Sequence, residues 1–414
     1  MPRVVVVGAG AAGTMAAIFA ASNGAETLLL ERTRDGGRKI LISGGGRCNI
    51  LPSRMDESRF VTDSSPHLLR RIVRSWPLRE QIAFFENELR VPLVEETESG
   101  KLFPKSQRAR DVRDALLEHA RRKGVTLVTD ALVTGVTQSG GGWMVERFEA
   151  EPLGADAVIL ATGGLSVPNT GSDGRGLEIA AGMGHTMMPT YPALTPLTNS
   201  ASFGHTSFAH LSGISLPVTI TARSDARAAQ ATGGFLFTHH GYSGPSVLDV
   251  SHVAVRSLAP GASQAKITVQ WTPLQDNDWD EALRARGART VIAAVGAELP
   301  QRLAETLVAS ARVEPDRPLA QLGRAERLRL IDALVRGSLP WTGDEGYKKA
   351  EVTGGGVSLA DVDSQTMQSR RHKGLFMCGE MLDAFGPIGG YNFQWAWATG
   401  RAAGIAAAAA DVML

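Results

Sequence analysis

Arg3-Val4-Val5-Val6-Val7-Gly8-Ala9-Gly10-Ala11-Ala12-Gly13 is the stretch on which the reading of this chain turns. Its β-branched run predicts a short strand buried on both faces. The glycines follow without a gap, a helix-compatible stretch runs over 14–23, and Gly24 supplies its stop. Thr27-Leu28-Leu29-Leu30 predicts a second buried strand ending in Glu31 and Arg32. The order is that of a βαβ unit. Gly8 suits the tight turn, Gly10 lets the backbone approach a pyrophosphate, and Gly13 lets helix close on strand. The free N–H groups and the positive end of the helix dipole then face phosphates. Glu31 stands where a carboxylate accepts hydrogen bonds from a ribose. A dinucleotide site is the reading, because a Gly-rich turn of another kind leaves Glu31 without a purpose.

Working outward, Asp35-Gly36-Gly37-Arg38-Lys39 and Ser43-Gly44-Gly45-Gly46-Arg47-Cys48-Asn49 let the backbone hug a flat or phosphorylated ligand. Arg38, Lys39 and Arg47 add positive charge beside it; the bland alternative is a mobile surface loop. A helical pattern covers 66–89, and a second, arginine-bearing one over 108–122 reads as a solvated basic face. Strands over 125–128 and 132–136 are expected to resume the sheet, with a hairpin turn at Gly140-Gly141-Gly142. Ala157-Val158-Ile159-Leu160 is another buried strand running into Ala161-Thr162-Gly163-Gly164, a strand end of the kind that binds ligands in open α/β sheets. The pattern turns β-rich over 191–270 and helical over 271–345. Strand-then-turn returns at Gly374 to Glu380, and Gly389-Gly390-Tyr391 precedes a long helix. The expected organisation is a nucleotide-binding domain over 1–190 and 346–414, split by a β-rich and then a helical subdomain.

Composition bounds the function. The 414 residues suit two or three units or one domain with an insertion, and 43% hydrophobic against 21% charged excludes a disordered chain. Lys+Arg 43 against Asp+Glu 42 leaves +1, so neither nucleic acid nor an anionic membrane is the expected partner. Cys48 and Cys378 are too few for a disulfide framework or a zinc site and read as two reduced thiols, with a single Cys48–Cys378 bridge as the alternative. Without a targeting segment or an apolar run long enough to span a bilayer, a cytoplasmic protein is expected. His205, His210 and His252 match no ligand spacing, so no metal is assigned. The oligomeric state is not readable.

Together these blocks resemble the HI0933-like family of FAD-binding flavoproteins, also known as the BaiN/YhiN-like or aminoacetone-oxidase-like group. Phe237-Thr238-His239-His240-Gly241-Tyr242-Ser243-Gly244-Pro245 and Glu351-Val352-Thr353-Gly354-Gly355-Gly356-Val357 match two further family blocks. The resemblance implies an α/β, glutathione-reductase-like Rossmann FAD domain interrupted by a β-barrel-like and a helical subdomain. It implies a pyrophosphate on Gly10, Ala11, Ala12 and Gly13 and an adenosine ribose on Glu31. Val133 would meet the adenine through its backbone, and Ala161, Thr162 and Gly163 would line the adenosine side. Gly379 and Glu380 would approach the ribityl chain, where relatives often carry Asp. Ser43 to Asn49 would border the isoalloxazine. Gly390, Tyr391, Asn392 and Phe393 would set a helix N-terminus near the pyrimidine edge, where a positive dipole end holds charge on a reduced flavin. The stretch 382–389 departs most from the family wording, which bears on substrate choice.

A flavin brings the redox chemistry and leaves the protein to orient substrate and move a proton. His239, His240 and Tyr242 follow the apolar Phe235-Leu236-Phe237 and precede a helix start at Pro245, which makes them proton-handling candidates. A structural, hydrogen-bonded role is the competing reading for each histidine. Tyr391 is a second candidate donor, with ring packing as its alternative. The lone aromatics Phe203, Phe208, Trp271, Trp279 and Trp341 read as core. Because no second GxGxxG occurs, NAD(P)H would dock transiently or oxygen would reoxidise the flavin. The leading function is an FAD-dependent oxidoreductase acting on a small organic molecule. The alternatives are a flavoprotein binding or modifying RNA and an NAD-only dehydrogenase.

Overall fold

The computed structural model describes residues 1–199, 208–284 and 288–410; Phe203 and His205 lie outside them. The chain divides into one unit of Met1–Pro192 with Glu351–Leu414 and a second of Ala193–Ala350.

Val4, Val5 and Val6 are fully buried, as the β-branched run requires, and sit in the middle strand of a five-stranded parallel sheet. The order is Leu375–Met377, Ala157–Leu160, Arg3–Val7, Glu26–Leu30, Thr126–Val128. Val5 pairs with Leu28 on one side and Val158 on the other. The helices Ala11–Ser22 and Tyr391–Ala408 pack backbone to backbone. A Cβ on Gly400 would stand 2.3 Å from the Ala12 carbonyl oxygen, and one on Gly404 2.2 Å from that of Ala16. Only glycine fits there. Trp395 and Trp397 are buried on the same helix, and their indole N–H groups donate to Gly379 O (3.0 Å) and Ile50 O (3.1 Å).

Two expectations need correcting. The 66–89 stretch is not one helix: Pro66–Arg74 ends before Pro77, and Leu78–Ala83 runs into a π-turn at Phe84–Glu88. A residue preceding proline is pushed out of helical geometry, and Gln81 Nε2 donates to the Trp76 carbonyl at 2.7 Å. Nor does 132–136 extend the main sheet. Val133–Ser139 pairs antiparallel with Gly142–Arg147, which pairs with Ala150–Ala155, in a sheet of its own. Val133–Ser139 buries Val133 and Val136 and leaves 137–139 exposed, unlike the continuous burial of the central strands. Gly140 (φ 59°) and Gly141 (φ 86°) make its turn.

In the second unit, seven antiparallel strands run in the order Gly337–Ser338, Lys266–Gln270, Ser215–Arg223, Ala228–Phe237, Gly241–Ser243, Leu197–Thr198, Gly343–Asp344. The helix Pro245–Arg256 starts against this sheet, with Pro245 beside Gly233 and Gly234. Trp271, Trp279, Phe235 and Leu330 belong to one hydrophobic cluster, so the β-rich and helical stretches share a single core. Trp271 stacks on Phe237 at 5.8 Å. Among the described residues, no helix is long and apolar enough to cross a membrane.

Candidate active site

The three glycines of the first turn differ in what demands them. Gly8 has φ 103°, and a Cβ there would stand 2.6 Å from the Ala161 carbonyl oxygen. A Cβ on Gly13 would stand 1.8 Å from Gly8 O. Gly10 has an ordinary φ of −77°, caps the Ala11–Ser22 helix, and a Cβ on it would meet nothing within 4 Å. The protein itself requires Gly8 and Gly13, whereas Gly10 opens onto free space in front of unsatisfied helix N–H groups. Glu31 closes this corner. Its buried carboxylate accepts from Ala9 N (2.9 Å), Thr33 N (2.9 Å) and Thr33 Oγ1 (2.7 Å). A carboxylate has about four acceptor positions, so one remains for a ligand hydroxyl.

These groups border a cavity of about 390 Å³ whose described lining comes wholly from the first unit. Of the residues expected at the cofactor, it is lined by Gly8, Gly10, Ala11, Ala12, Glu31, Arg32, Arg38, Lys39, Ser43, Gly44, Gly45, Asn49, Val133, Ala161, Thr162, Gly163, Glu380, Gly390, Asn392 and Phe393. Two polar atoms in this lining are buried without a hydrogen-bond partner, the acceptor Asn49 Oδ1 and the donor Arg175 Nε. Buried polar atoms are nearly always paired, so both await a ligand's polar edge. With open space at Gly10 and a ribose-ready carboxylate at Glu31, the residues present fit an extended flavin dinucleotide.

The walls are cross-braced. Lys39 Nζ donates to Ser166 Oγ and to Glu380 Oε2 (2.6 Å), and Glu380 Oε1 accepts from Ser166 Oγ (2.5 Å) and Thr353 N (3.0 Å). Arg32 pairs with Asp173. Arg38 donates to Asp35 at 2.8 Å, and that bond holds the Asp35 carboxyl below the usual range. Arg113 faces inward from the helix read as a solvated basic face and donates to Gly36 O at 3.3 Å. The Asn392 side chain spans the 386–390 loop, its Oδ1 accepting from Gly386 N and its Nδ2 donating to Gly386 O, both at 2.9 Å. The first N–H groups of Tyr391–Ala408 are thereby held at the cavity.

Other expected residues lie outside the lining. Gly13 and Gly379 are packing glycines; a Cβ on Gly379 would stand 2.7 Å from Ala12 Cβ. Gly46 is off the cavity, and Arg47 turns to Glu96 (2.9 Å) while lying over the Phe103 ring. Cys48 is buried, and burial, against a hydrogen bond with Ser43, pushes its thiol up to about 12. Cys48 and Cys378 are both free. The Tyr391 hydroxyl donates to Arg54 O at 3.3 Å, and its ring packs on Phe60. His239 and His240 are exposed in a turn of the second unit, whose Thr238 Oγ1 accepts from His240 N and Gly241 N. Tyr242 is buried there, donating to Pro340 O at 2.8 Å and accepting from Asn199 Nδ2 at 3.0 Å, and burial raises its pKa. Among the described residues, no group of three or more His, Cys, Asp or Glu could hold a metal.

Sequence reasoning did not single out Lys101, Arg175 and Glu351, all of which line the cavity. Glu351 had one available signal, an acid at the head of a Gly-rich block. It is exposed, yet protein crowds around it, so desolvation raises its pKa against the opposing pull of Lys39 and Lys101.

The HI0933-like protein Rossmann domain matches residues 2–406. A 3-dehydro-bile acid delta(4,6)-reductase of Clostridium scindens is 32% identical, over 99% of both chains. A ribosomal RNA dihydrouridine synthase of Escherichia coli is 31% identical, over 95% of both. The 3-ketosteroid delta1-dehydrogenase of Sterolibacterium denitrificans shares the fold with a TM-score of 0.54 at 13% identity, covering 99% of this chain and 100% of that one.

Proposed function

The chain belongs to the HI0933-like family and is an FAD-dependent oxidoreductase, and on that premise we propose that it reduces a carbon–carbon double bond conjugated to a carbonyl in a small organic molecule. The observation that carries the reading is the cavity, with Gly10 and Glu31 in its lining and an orphaned amide acceptor, Asn49, beside the loop expected at the isoalloxazine. A delta(4,6)-reductase and a dihydrouridine synthase both saturate a C=C bond in conjugation with a carbonyl. The shared chemistry is a hydride added at one carbon and a proton at its neighbour.

Bound FAD supplies the hydride. The chain's own residues hold and shape the site. Glu31 and the N-terminus of Ala11–Ser22 would take the adenosine ribose and diphosphate. Asn49 Oδ1 would accept a hydrogen bond from a ring N–H, and the N-terminus of Tyr391–Ala408 would favour negative charge near it. Lys39, Ser166 and Glu380 fix the wall between them.

The test is anaerobic. NADH or NADPH should bleach the bound flavin, and an α,β-unsaturated ketone should restore its colour faster than air does. Prompt reoxidation by air with no response to any enone would refute a reductase.

A second reading, reduction of a uracil ring within RNA, is favoured by the E. coli relative and by one surface feature. His67, Arg70, Arg71 and Arg74 recur at helical spacing on Pro66–Arg74 and border a groove with Ser364 and Gln365. Phosphates bind such a stripe with affinity that falls steeply with salt. A salt-sensitive gel shift with RNA, lost in an Arg70→Glu/Arg71→Glu variant, separates the two readings.

A further inference from the structure

Two groups of opposite charge line the cavity without a partner. Lys101 begins the strand Lys101–Pro104, and Glu351 stands immediately before Val352–Val357. Among the described residues, neither side chain makes a hydrogen bond or an ion pair. Three other basic side chains of the lining are tied: Lys39 to Glu380 and Ser166, Arg38 to Asp35, and Arg32 to Asp173. The Lys101 stem lies beside the braced loop, since a Cβ on Gly389 would stand 3.8 Å from Lys101 Cε. Lys101 also pairs in the sheet with Pro52, just beyond Asn49. Lys101 thus stands on the Gly389 side of the cavity, and Glu351 lies close enough to feel the charges of Lys39 and Lys101.

We propose that Lys101 and Glu351 are the substrate-facing pair of this site, the ammonium holding the carbonyl oxygen of a conjugated substrate and the carboxyl delivering the proton that completes its reduction. The inference rests on the reading above. A hydride from reduced FAD, itself recharged by NAD(P)H, bonds to the β carbon. The π pair of the C=C bond moves toward the carbonyl oxygen, and Lys101 holds the enolate charge that results. The Glu351 O–H bond then breaks, its proton bonds to the α carbon, and the carboxylate recovers a proton from solvent. A carboxyl whose desolvation outweighs the pull of Lys39 and Lys101 retains its proton closer to neutral pH, as a general acid needs.

Phenolates mimic the enolate, and when stacked on oxidised flavin they give a long-wavelength absorption band. The oxidised holoprotein is titrated with 4-hydroxybenzaldehyde, following that band, alongside Lys101→Met, Lys101→Arg and Glu351→Gln. The wild type should bind the phenolate, and Lys101→Met should weaken it at least tenfold, with Lys101→Arg recovering most of the loss. Glu351→Gln should bind it about as tightly, because the protonated carboxyl it replaces is also neutral, while enone reduction falls at least a hundredfold. Flavin content and melting temperature serve as the folding control, and a variant that loses either is replaced in the comparison by Lys101→Gln or Glu351→Asp. The proposal is overturned if the wild type gives no band, if Lys101→Met binds the phenolate like the wild type, or if Glu351→Gln reduces enones at the wild-type rate. A protein that binds no flavin defeats the functional reading itself before any phenol is added.

Discussion

Gly10 and Gly13 lie in one turn, yet their alanine variants should fail in different ways. A Cβ on Gly13 would sit 1.8 Å from Gly8 O, against backbone, so helix and strand must part by more than an ångström. Over-packing of this kind costs about 3 kcal/mol. In a unit of this size that lowers the apoprotein melting temperature by roughly 6–12 °C. A Cβ on Gly10 meets no protein atom, so Gly10→Ala loses only the cap preference, about 1 kcal/mol. Its methyl instead stands between the helix N–H groups and a diphosphate. Losing one charge-assisted hydrogen bond, about 1.5–3 kcal/mol, weakens FAD binding roughly ten- to one-hundred-fold. Thermal melts of the apoprotein and quenching of FAD fluorescence measure the two effects separately. If Gly10→Ala melts as low as Gly13→Ala, or binds FAD like the wild type, the assignment of Gly10 to the diphosphate is wrong.

Glu31→Gln keeps the size but replaces one acceptor oxygen with a donor that faces N–H groups; FAD affinity should fall at least tenfold by the same titration, and unaltered binding would remove Glu31 from the ribose. Gly404→Ala should destabilise by about 2–3 kcal/mol in urea, because its Cβ would stand 2.2 Å from Ala16 O. Cys48 and Cys378 should resist iodoacetamide at pH 8 until denaturant is added, since burial keeps both protonated and covered; rapid labelling of the native protein would contradict that. Burial favours the neutral form of His185. Its Nδ1–H donates to Ala180 O (2.9 Å), and its Nε2 accepts from Ser369 Oγ (2.8 Å), which itself accepts from Arg371 N and His372 N. Desolvation lowers its pKa below the ordinary 6.5, so the unfolded chain binds the proton more readily, and stability should decline as pH falls below that value. Urea midpoints from pH 8 to 5 should show this slope, and His185→Gln should flatten it.

What the sequence discloses is what short-range geometry dictates. The strand–glycine–helix–strand order of 3–31 is legible because each glycine's task is set by neighbours a few residues away, and Gly8, Gly10 and Glu31 all reach the cavity. The 43–49 loop is legible only in part: Ser43, Gly44, Gly45 and Asn49 line the site, but Arg47 is drawn off by Glu96, at the end of the strand Leu93–Glu96. Lys101 carries no local signature, and Glu351 only its place at the head of a Gly-rich block, because what distinguishes them is a missing partner, and only the assembled unit reveals that. The same holds for Tyr391, whose place at a helix start says nothing of Arg54 and Phe60 waiting to pack it. Pro77 was visible all along, and its effect on 66–89 follows from one backbone clash.

The backbone contact of Ala12 and Ala16 with Gly400 and Gly404 has a bearing on how the protein is made. During synthesis the Ala11–Ser22 segment leaves the ribosome long before Tyr391–Ala408 exists, and Lys39 emerges 341 residues ahead of the Glu380 that fixes it. The Rossmann half therefore lacks its last helix and the Glu380 brace while the entire intervening unit is translated. The cavity lining reaches as far as Ala396, so coenzyme is expected to be captured only after that helix has been made.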